Sequence, residues 1–432
     1  MALCQAENEL SARFKGRDGR QVRQARLLTD PDLGVVLSPL VTNSSLAEVL
    51  RAESVAHINL EGMPWITAQS MALIPKICGQ QLLSLNLSEN TEVCDDLLLE
   101  FSKACFGLTR LELRSCPNVT IVGMSTFLSR LPNLRNLDLS RNPDFLSLPQ
   151  KSSDEDLIEL YKRSVPPLLQ ERARIRTRQD TRNVDLELSN ERAAFAMHLS
   201  ESALENLNLS EIDGVDDKLM EQIFEPEAPI TESLRRLRLG DTLLTSAGVE
   251  TFAKVCPNLQ EVDLSLSTSI DSAGIVALAE NCRQLTSLDL SGLHLVNDEA
   301  ILNLVVDLGT SLTDLALSGC TGLGDETLDN ICYRATAMER LDLTGCINLP
   351  KTDFLKLATG KATRLRQVKI SACWQVEPGD VTDLQRLAKT QRPGLKIVRC
   401  KGKAVGDPII SGIVPNWRPL PVSAQLKTIA KD

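Results

Sequence analysis

The chain has 432 residues with a formal net charge of −10, and 43% of its residues are hydrophobic. This composition excludes disorder as a description of the whole chain, and the negative charge disfavours a broad nucleic-acid interface. Leucine is in marked excess, with 72 residues against only 14 aromatic residues and 12 cysteines. The first question is therefore whether the leucines recur at a fixed period.

Residues 1–54 precede the first regular segment, and we expect them to form an N-terminal cap or extension. They contain no apolar run typical of a secretory signal, and no stretch of the chain approaches the 18 apolar residues of a membrane helix. These features predict a cytoplasmic protein, which includes a cytoskeletal or ciliary location, with the nucleus as an alternative.

The pattern apolar-x-x-apolar-x-apolar recurs twelve times. Successive starts lie 25 to 30 residues apart except for one gap of 70, and they are Val55, Leu82, Leu108, Leu134, Leu204, Leu234, Leu259, Leu285, Leu312, Met338, Leu365 and Leu395. Each unit predicts a short half-buried strand. Helix-capping residues follow several strands, at Thr245, Asp271, Asn297 and Asp325. Because one strand and one helix cannot bury a core alone, neighbouring units are expected to stack.

Units such as LTDLALSGCTGLGDETLDNIC and MERLDLTGCINLPKTDFLKLA resemble the cysteine-containing leucine-rich repeats of the ribonuclease-inhibitor-like superfamily. They are similar to the repeat region of F-box proteins, but the N-terminal segment shows no F-box pattern. The resemblance implies an α/β solenoid, or horseshoe, of about 12 repeats, with a parallel sheet on the concave face and helices on the convex face. Repeats 1–4 would occupy residues 55–142, and repeats 5–12 residues 204–400.

The cysteines follow the repeat. Cys116, Cys320, Cys346 and Cys373 each stand three residues after the last apolar strand position, where two other units have Asn90 and Asn142. No pair has the C-x-x-C spacing of a zinc or redox motif, so buried structural thiols are expected. The three histidines form no catalytic motif. We therefore predict a non-enzymatic protein without cofactor, metal or small-molecule substrate.

Outward strand positions carry a run of carboxylates that ends in basic residues, comprising Asp263, Asp289, Asp314, Asp342, Lys369 and Arg399. This run predicts a partner with a basic segment over the middle units and an acidic segment near the C-terminal end. The alternative is that aspartate is a common solvated residue of this strand.

Two segments interrupt the repeat. Residues 143–203 are a polar insertion in which arginines cluster, namely Arg172, Arg174, Arg176, Arg178 and Arg182. These arginines predict a clamp for an acidic partner, and a solvated loop is the alternative. The motif NVDLELS within the insertion is either part of this loop or a degenerate extra repeat. Residues 401–432 form a proline-containing tail in which Trp417 either caps the last repeat or docks into another chain.

These features favour a protein-interaction scaffold, a structural subunit of a larger axonemal or cytoskeletal assembly. The alternative is a substrate receptor or adaptor of a cullin-RING ubiquitin ligase of the SCF type. A regulator similar to Ran GTPase-activating proteins is less favoured, because neither the catalytic arginine loop nor the long acidic tail of those proteins can be placed here.

Overall fold

A computed structural model describes residues 28–30, 34–36, 42–52, 55–146, 183–373 and 378–398. Fourteen strands of three residues lie in this part of the chain. They are β1 (Leu28–Asp30), β2 (Gly34–Val36), β3 (His57–Asn59), β4 (Ser84–Asn86), β5 (Arg110–Glu112), β6 (Asn136–Asp138), β7 (Asn206–Asn208), β8 (Arg236–Arg238), β9 (Glu261–Asp263), β10 (Ser287–Asp289), β11 (Asp314–Ala316), β12 (Arg340–Asp342), β13 (Gln367–Lys369) and β14 (Lys396–Val398).

Helices alternate with these strands. They are α1 (Asn43–Ala52), α2 (Ala68–Met71), α3 (Leu73–Cys78), α4 (Asp95–Ser102), α5 (Ile121–Leu128), α6 (Asn183–Ser200), α7 (Asp217–Ile223), α8 (Pro229–Ser233), α9 (Ser246–Val255), α10 (Ser272–Asn281), α11 (Asp298–Leu308), α12 (Thr327–Arg334), α13 (Lys356–Thr359) and α14 (Pro378–Gln391). The described residues also include three short 3₁₀ helices, at Gly79–Gln81, Pro143–Leu146 and Lys351–Leu355.

The chain forms two compact units. The N-terminal unit contains residues 1–214 and 228–233, and the C-terminal unit contains residues 215–227 and 234–432. In the N-terminal unit β3 to β7 pair in parallel and in chain order, and β2 joins them beside an antiparallel β1. In the C-terminal unit β8 to β14 pair in parallel in the same way. The strands β3 to β14 are therefore the twelve repeats that the sequence predicts.

Alternation along each strand separates core from surface. The middle residue points into the core, as Leu288 does with 1% of its surface exposed, and the inward leucines on either side of the strand, Leu285 and Leu290, are fully buried. Burying a leucine side chain stabilises the fold by about 1.5–3 kcal/mol. The first and third strand residues point away from this core, and we call the surface that they form the open face.

The last repeat has a different register from the prediction. The pattern starting at Leu395 places Val398 inward and Ile397 outward, which is wrong by one residue. In β14 the residue opposite Val368 is Ile397, and Ile397 is 9% exposed whereas Val398 is half-buried. Two adjacent β-branched residues satisfy the apolar pattern in either register, so only pairing with β13 decides between them. Lys396 and Val398 therefore hold the open-face positions.

A ladder of buried polar side chains ties the repeats together behind the strands. Asn142 Nδ2 donates to the carbonyl oxygens of Leu113 and Leu139 at 2.9 and 2.7 Å, and its Oδ1 accepts from Cys116 N at 2.7 Å. The predicted ladder cysteines act in the same way, each Sγ donating to a carbonyl of the preceding repeat, as from Cys320 to Leu290 at 3.1 Å and from Cys346 to Leu317 at 3.0 Å.

The thiols of this ladder and of the helix ends should be unreactive in the folded protein. Nine of the described cysteines are buried and free, and burial raises the pKa of Cys116 to about 11 and that of Cys320 to about 12. Thiolate, the reactive form, is therefore scarce at neutral pH. We expect at most three of the twelve cysteines to react with Ellman's reagent before unfolding and all twelve in denaturant. Rapid native reaction of more than three would contradict the ladder.

Helix starts confirm three of the four predicted caps. The side chains of Thr245, Asp271 and Asn297 accept hydrogen bonds from backbone N–H groups in the first turns of their helices. The prediction for Asp325 is wrong, because α12 starts one residue later, after Glu326. There Asp298 of the preceding helix accepts from Gly324 N at 2.8 Å and from the hydroxyl of Thr327. Asp298 thus links the preceding repeat to the start of α12, where the N-cap residue Glu326 makes no side-chain cap hydrogen bond.

Asp95 makes a similar link, and its burial predicts a pH effect. Its carboxylate accepts from Thr120 N at 2.9 Å and from Thr120 Oγ1 at 2.6 Å, while burial raises its pKa from 3.8 to about 6. Since the folded pKa is raised, this group's contribution to stability is complete below pH 3.8 and is lost as the pH rises through 6. In urea titrations, Asp95→Asn should therefore gain about 2 kcal/mol over the wild type between pH 4 and pH 7.5.

The exposed Asp144 provides the matched control for this effect. Asp144→Asn should differ from the wild type by a pH-independent amount. A constant difference between Asp95→Asn and the wild type across the same range would show that Asp95 ionises normally in the folded protein.

The segment between the fourth and fifth repeats ends in the long helix α6, which packs against α5. Ala194, Phe195, Ala196 and Leu199 of this helix are buried, and Phe195 meets Phe145 edge-on with ring centroids 5.3 Å apart. The extra-repeat interpretation of NVDLELS is wrong, because these residues start α6 rather than a strand. The arginines Arg172, Arg174, Arg176, Arg178 and Arg182 lie outside the described residues.

Candidate functional site

The open face of the C-terminal unit brings several predicted residues into register. Strand pairing places Asp263 opposite Asp289, Asp289 opposite Ala316, Ala316 opposite Asp342, and Asp342 opposite Lys369. Adjacent strands are about 4.8 Å apart, so these third-position residues form one continuous line across the sheet. We call Asp263, Asp289 and Asp342 the acidic row.

The acidic row is buried although it points away from the leucine core. The exposed fractions of Asp263, Asp289 and Asp342 are 9%, 5% and 0%. Each carboxylate accepts a hydrogen bond from the backbone N–H two residues further on, at 3.0, 2.9 and 3.0 Å in the same order. This local turn orients every aspartate in the same way.

Strand pairing places a basic residue at each end of this line, Arg238 of β8 opposite Asp263 and Lys369 of β13 opposite Asp342. Lys369 Nζ lies 3.4 Å from Asp342 Oδ2, and both side chains are buried. The pKa of Asp289 is raised well above its usual value, first by burial and then by the charge of Asp263. An ionised carboxylate that is buried has lost its hydrating water, and this is costly unless a cation lies nearby. Buried carboxylates therefore favour a neighbouring positive charge.

Asp314 belongs to a different line from the acidic row. It occupies the first position of β11, beside Arg340 of β12, whose guanidinium donates to its carboxylate. Glu261, in the same line, lies 3.8 Å from both Arg236 and Arg238. The run of carboxylates predicted from sequence therefore consists of two lines, and the one that contains Asp314 is paired by arginines of its own sheet.

The basic end of the predicted surface is only partly described. Lys369 lies in the same line as the acidic row and pairs with Asp342, so it neutralises an aspartate instead of offering a free cation to a partner. Arg399 and Trp417 lie outside the described residues. The partner-binding roles predicted for all these residues stay predictions.

The open face of the N-terminal unit holds a charged network that the sequence interpretation did not single out. Arg114 donates to Glu61 and also to Glu89, the latter at 3.0 Å. Asn86 Nδ2 donates to Glu112 Oε2 at 2.7 Å, and burial followed by the charge of Asp138 raises the pKa of Glu112. The alternating pattern identifies all these positions except Glu89 as outward, but only the three-dimensional register shows that they contact one another.

The described part of the chain contains neither a cluster of metal ligands nor a helix that could span a membrane. Among residues 28–30, 34–36, 42–52, 55–146, 183–373 and 378–398, no group of three or more His, Cys, Asp and Glu side chains has the arrangement of a metal site. No helix in this part of the chain has the length and apolar character needed to cross a membrane.

Comparisons with known proteins place the architecture. The family model described as "Leucine Rich repeat" matches residues 255–279. Among 119 matching solved chains, one from the crystal structure of the yeast Rad7 and Elc1 complex has a TM-score of 0.57 and 12% sequence identity, covering 99% of this chain and 93% of that chain. The fold is a leucine-rich-repeat solenoid. No curated protein matches the sequence significantly.

Proposed function

We propose that the protein is a non-enzymatic interaction scaffold and that the acidic row receives a basic segment of a protein partner. The observation that carries this proposal is the burial of three carboxylates in one line of the open face, between Arg238 at one end and Lys369 at the other. A lysine- or arginine-containing segment has the charge that is complementary to these carboxylates. Electrostatic complementarity of this kind gives specificity and fast association.

The character of the open face limits the kind of partner. None of its described strand positions carries an aromatic side chain, and the exposed Trp65, Phe106 and Tyr333 lie on loops and helices. Aromatic anchors are enriched in tight hydrophobic interfaces. Binding to the open face should therefore be polar and weaken with ionic strength, since salt screens accessible charges.

Two assemblies fit such a scaffold. The first is a structural subunit of a larger complex of the axonemal or cytoskeletal type, and the second is a substrate receptor or adaptor in a cullin-RING ubiquitin ligase. The solved structure that shares the fold contains two proteins, Rad7 and Elc1. That composition supports a role in protein complexes and fits both assemblies.

Affinity purification of the full chain, followed by mass spectrometry, separates the two assemblies. Stoichiometric recovery of cytoskeletal proteins is the result expected for the structural subunit. Recovery of a cullin with its adaptor would instead assign the protein to a ubiquitin ligase. If no protein were recovered in stoichiometric amount at low or physiological ionic strength, the scaffold proposal itself would be overturned.

A further inference from the structure

We propose that a basic surface beside the last two described strands binds an acidic segment of a protein partner. This surface, which we call the basic edge, belongs to the C-terminal unit and lies where the chain enters β13 and β14. It consists of Lys361, Arg364, Arg366, Lys389, Arg392 and Lys396. The basic edge is separate from the acidic row and has the opposite charge.

Positive charge is concentrated in this part of an otherwise acidic protein. Residues 360–373 and 378–398 contain eight lysine and arginine residues against two aspartates, whereas the whole chain has a formal net charge of −10. Two of the eight cations lie beside carboxylates of their own unit, Lys369 beside Asp342 and Arg386 beside Asp383. The other six form the basic edge.

Hydrogen bonds bring the two halves of the basic edge together. Arg392, which follows α14, donates to the carbonyl oxygens of Gly360 and Ala362 in the turn before β13, to the latter at 2.6 Å. Lys396 N donates to the carbonyl oxygen of Arg366 at 2.7 Å. The residues that lead into β13 and β14 therefore form one surface. The guanidinium of Arg392 adds its charge to this surface, because its described hydrogen bonds go to uncharged carbonyl oxygens.

The charges of the basic edge are accessible to a partner. Lys361, Arg364, Lys389 and Lys396 are exposed, and none of the four makes an ion pair with another residue that the structure describes. Arg366 Nε lies 3.6 Å from a Glu339 carboxylate oxygen, but the arginine side chain is 74% exposed, and such a pair is weak. Exposed cations grouped in this way attract carboxylates and speed their association.

The small extent of the basic edge favours a short acidic protein segment over a nucleic acid. The residue directly before the strand is Arg366 for β13, but Glu339, Thr313, Thr286 and Gln260 for the four strands before it. Positive charge is therefore confined to two repeats, about 5–10 Å along the sheet. Duplex DNA carries one charge per about 1.7 Å of its axis and would extend past the basic edge towards Glu339. A segment with a few aspartates or glutamates avoids this repulsion.

The test measures binding of fluorescein-labelled decaglutamate to the full-length protein by fluorescence anisotropy at low ionic strength. The variant Lys361→Glu/Arg364→Glu/Lys389→Glu reverses three exposed charges of the basic edge. Decaglutamate should bind the wild type, and it should bind this variant at least about tenfold more weakly, because the attracting charges have become repulsive. Equal affinity for the two proteins, or no binding to the wild type, would overturn the proposal.

The matched control is Lys218→Glu/Lys254→Glu/Arg283→Glu, which reverses three exposed charges elsewhere in the same unit and gives the same net charge. It should bind decaglutamate as the wild type does. A loss equal to that of the basic-edge variant would show that net charge governs binding, which contradicts the proposal. If thermal melting shows that charge reversal impairs folding, Lys361→Gln/Arg364→Gln/Lys389→Gln replaces the first variant. A smaller loss of affinity is then expected, and unchanged affinity would refute the basic edge.

Two comparisons separate this proposal from its alternatives. Asp263→Asn/Asp289→Asn alters the acidic row and should bind decaglutamate at least as tightly as the wild type, so the proposed function and the basic edge can fail independently. Weaker binding by this variant would contradict a separate basic surface. The nucleic-acid probe is fluorescein-labelled oligothymidylate of the same length. If it binds more tightly than decaglutamate and is weakened by the basic-edge variant, the surface is assigned to a nucleic acid and the acidic protein segment is excluded.

Discussion

Replacing Lys369 by methionine should destabilise the protein by about 3–5 kcal/mol, because the change leaves Asp342 buried without its cation. Asp342 is fully buried, and Asp289 lies in the same line two strands away. Removing one member of a buried ion pair costs far more than losing an exposed pair, which contributes about 1 kcal/mol or less. Urea unfolding at pH 7 measures the difference.

Two companion variants make this result specific. Lys396→Met changes an exposed lysine one strand away and should alter the stability by less than about 0.5 kcal/mol. Lys369→Met/Asp342→Asn removes both charges and should regain at least half of the stability that Lys369→Met loses. A double variant no more stable than Lys369→Met would show that the cost comes from packing of the lysine stem and not from the unpaired carboxylate.

The second large effect is expected at the polar ladder of the N-terminal unit. Asn142→Ala should cost about 3 kcal/mol, because it leaves two buried carbonyl oxygens and the amide of Cys116 without the partners that Asn142 provides. Chemical denaturation again provides the measurement.

Two variants provide the comparison. One puts cysteine at the same position, and the other replaces an exposed asparagine by alanine. Asn142→Cys should lose less stability than Asn142→Ala, since cysteine at the equivalent position of other repeats donates to the same kind of carbonyl, as from Cys346 to Leu317. Asn118→Ala removes an exposed bond to Thr91 and should cost less than about 1 kcal/mol. Equal losses for Asn142→Ala and Asn118→Ala would refute the ladder as a source of stability.

The twelve strands were predictable because the inward leucines and the spacing between units repeat together. The ladder was equally accessible, since six of the units have asparagine or cysteine at one fixed position after the strand. Features that depend on a neighbouring repeat were not. Asp298 binds the segment that leads into the following helix, at Gly324 N, from 26 residues away, and the register of β14 depends on pairing with β13. Neither contact leaves a local signal in the sequence.

The candidate site was predictable only in part, for a similar reason. Alternation along the strand identifies Asp263, Asp289 and Asp342 as outward, and the repeat length places them in neighbouring repeats. Outward position alone suggests solvation, however, and these carboxylates are at least nine-tenths buried. Burial depends on what lies above the sheet, which a pattern of inward and outward residues does not encode. The same pattern does not show that Asp314 pairs with Arg340 in a separate line.

The central claim is tested most directly by measuring how much partner the protein captures when aspartates of the acidic row are replaced by asparagine. The full-length variant Asp263→Asn/Asp289→Asn keeps the Lys369–Asp342 pair, and Glu225→Gln/Glu280→Gln removes two exposed carboxylates away from the strands of the same unit. The measured quantity is the amount of each wild-type partner recovered with equal amounts of bait. Recovery should fall at least about tenfold with the first variant and remain at the wild-type level with the second, as expected for charge pairs that carry specificity. Undiminished capture by Asp263→Asn/Asp289→Asn would contradict the acidic row as the binding surface.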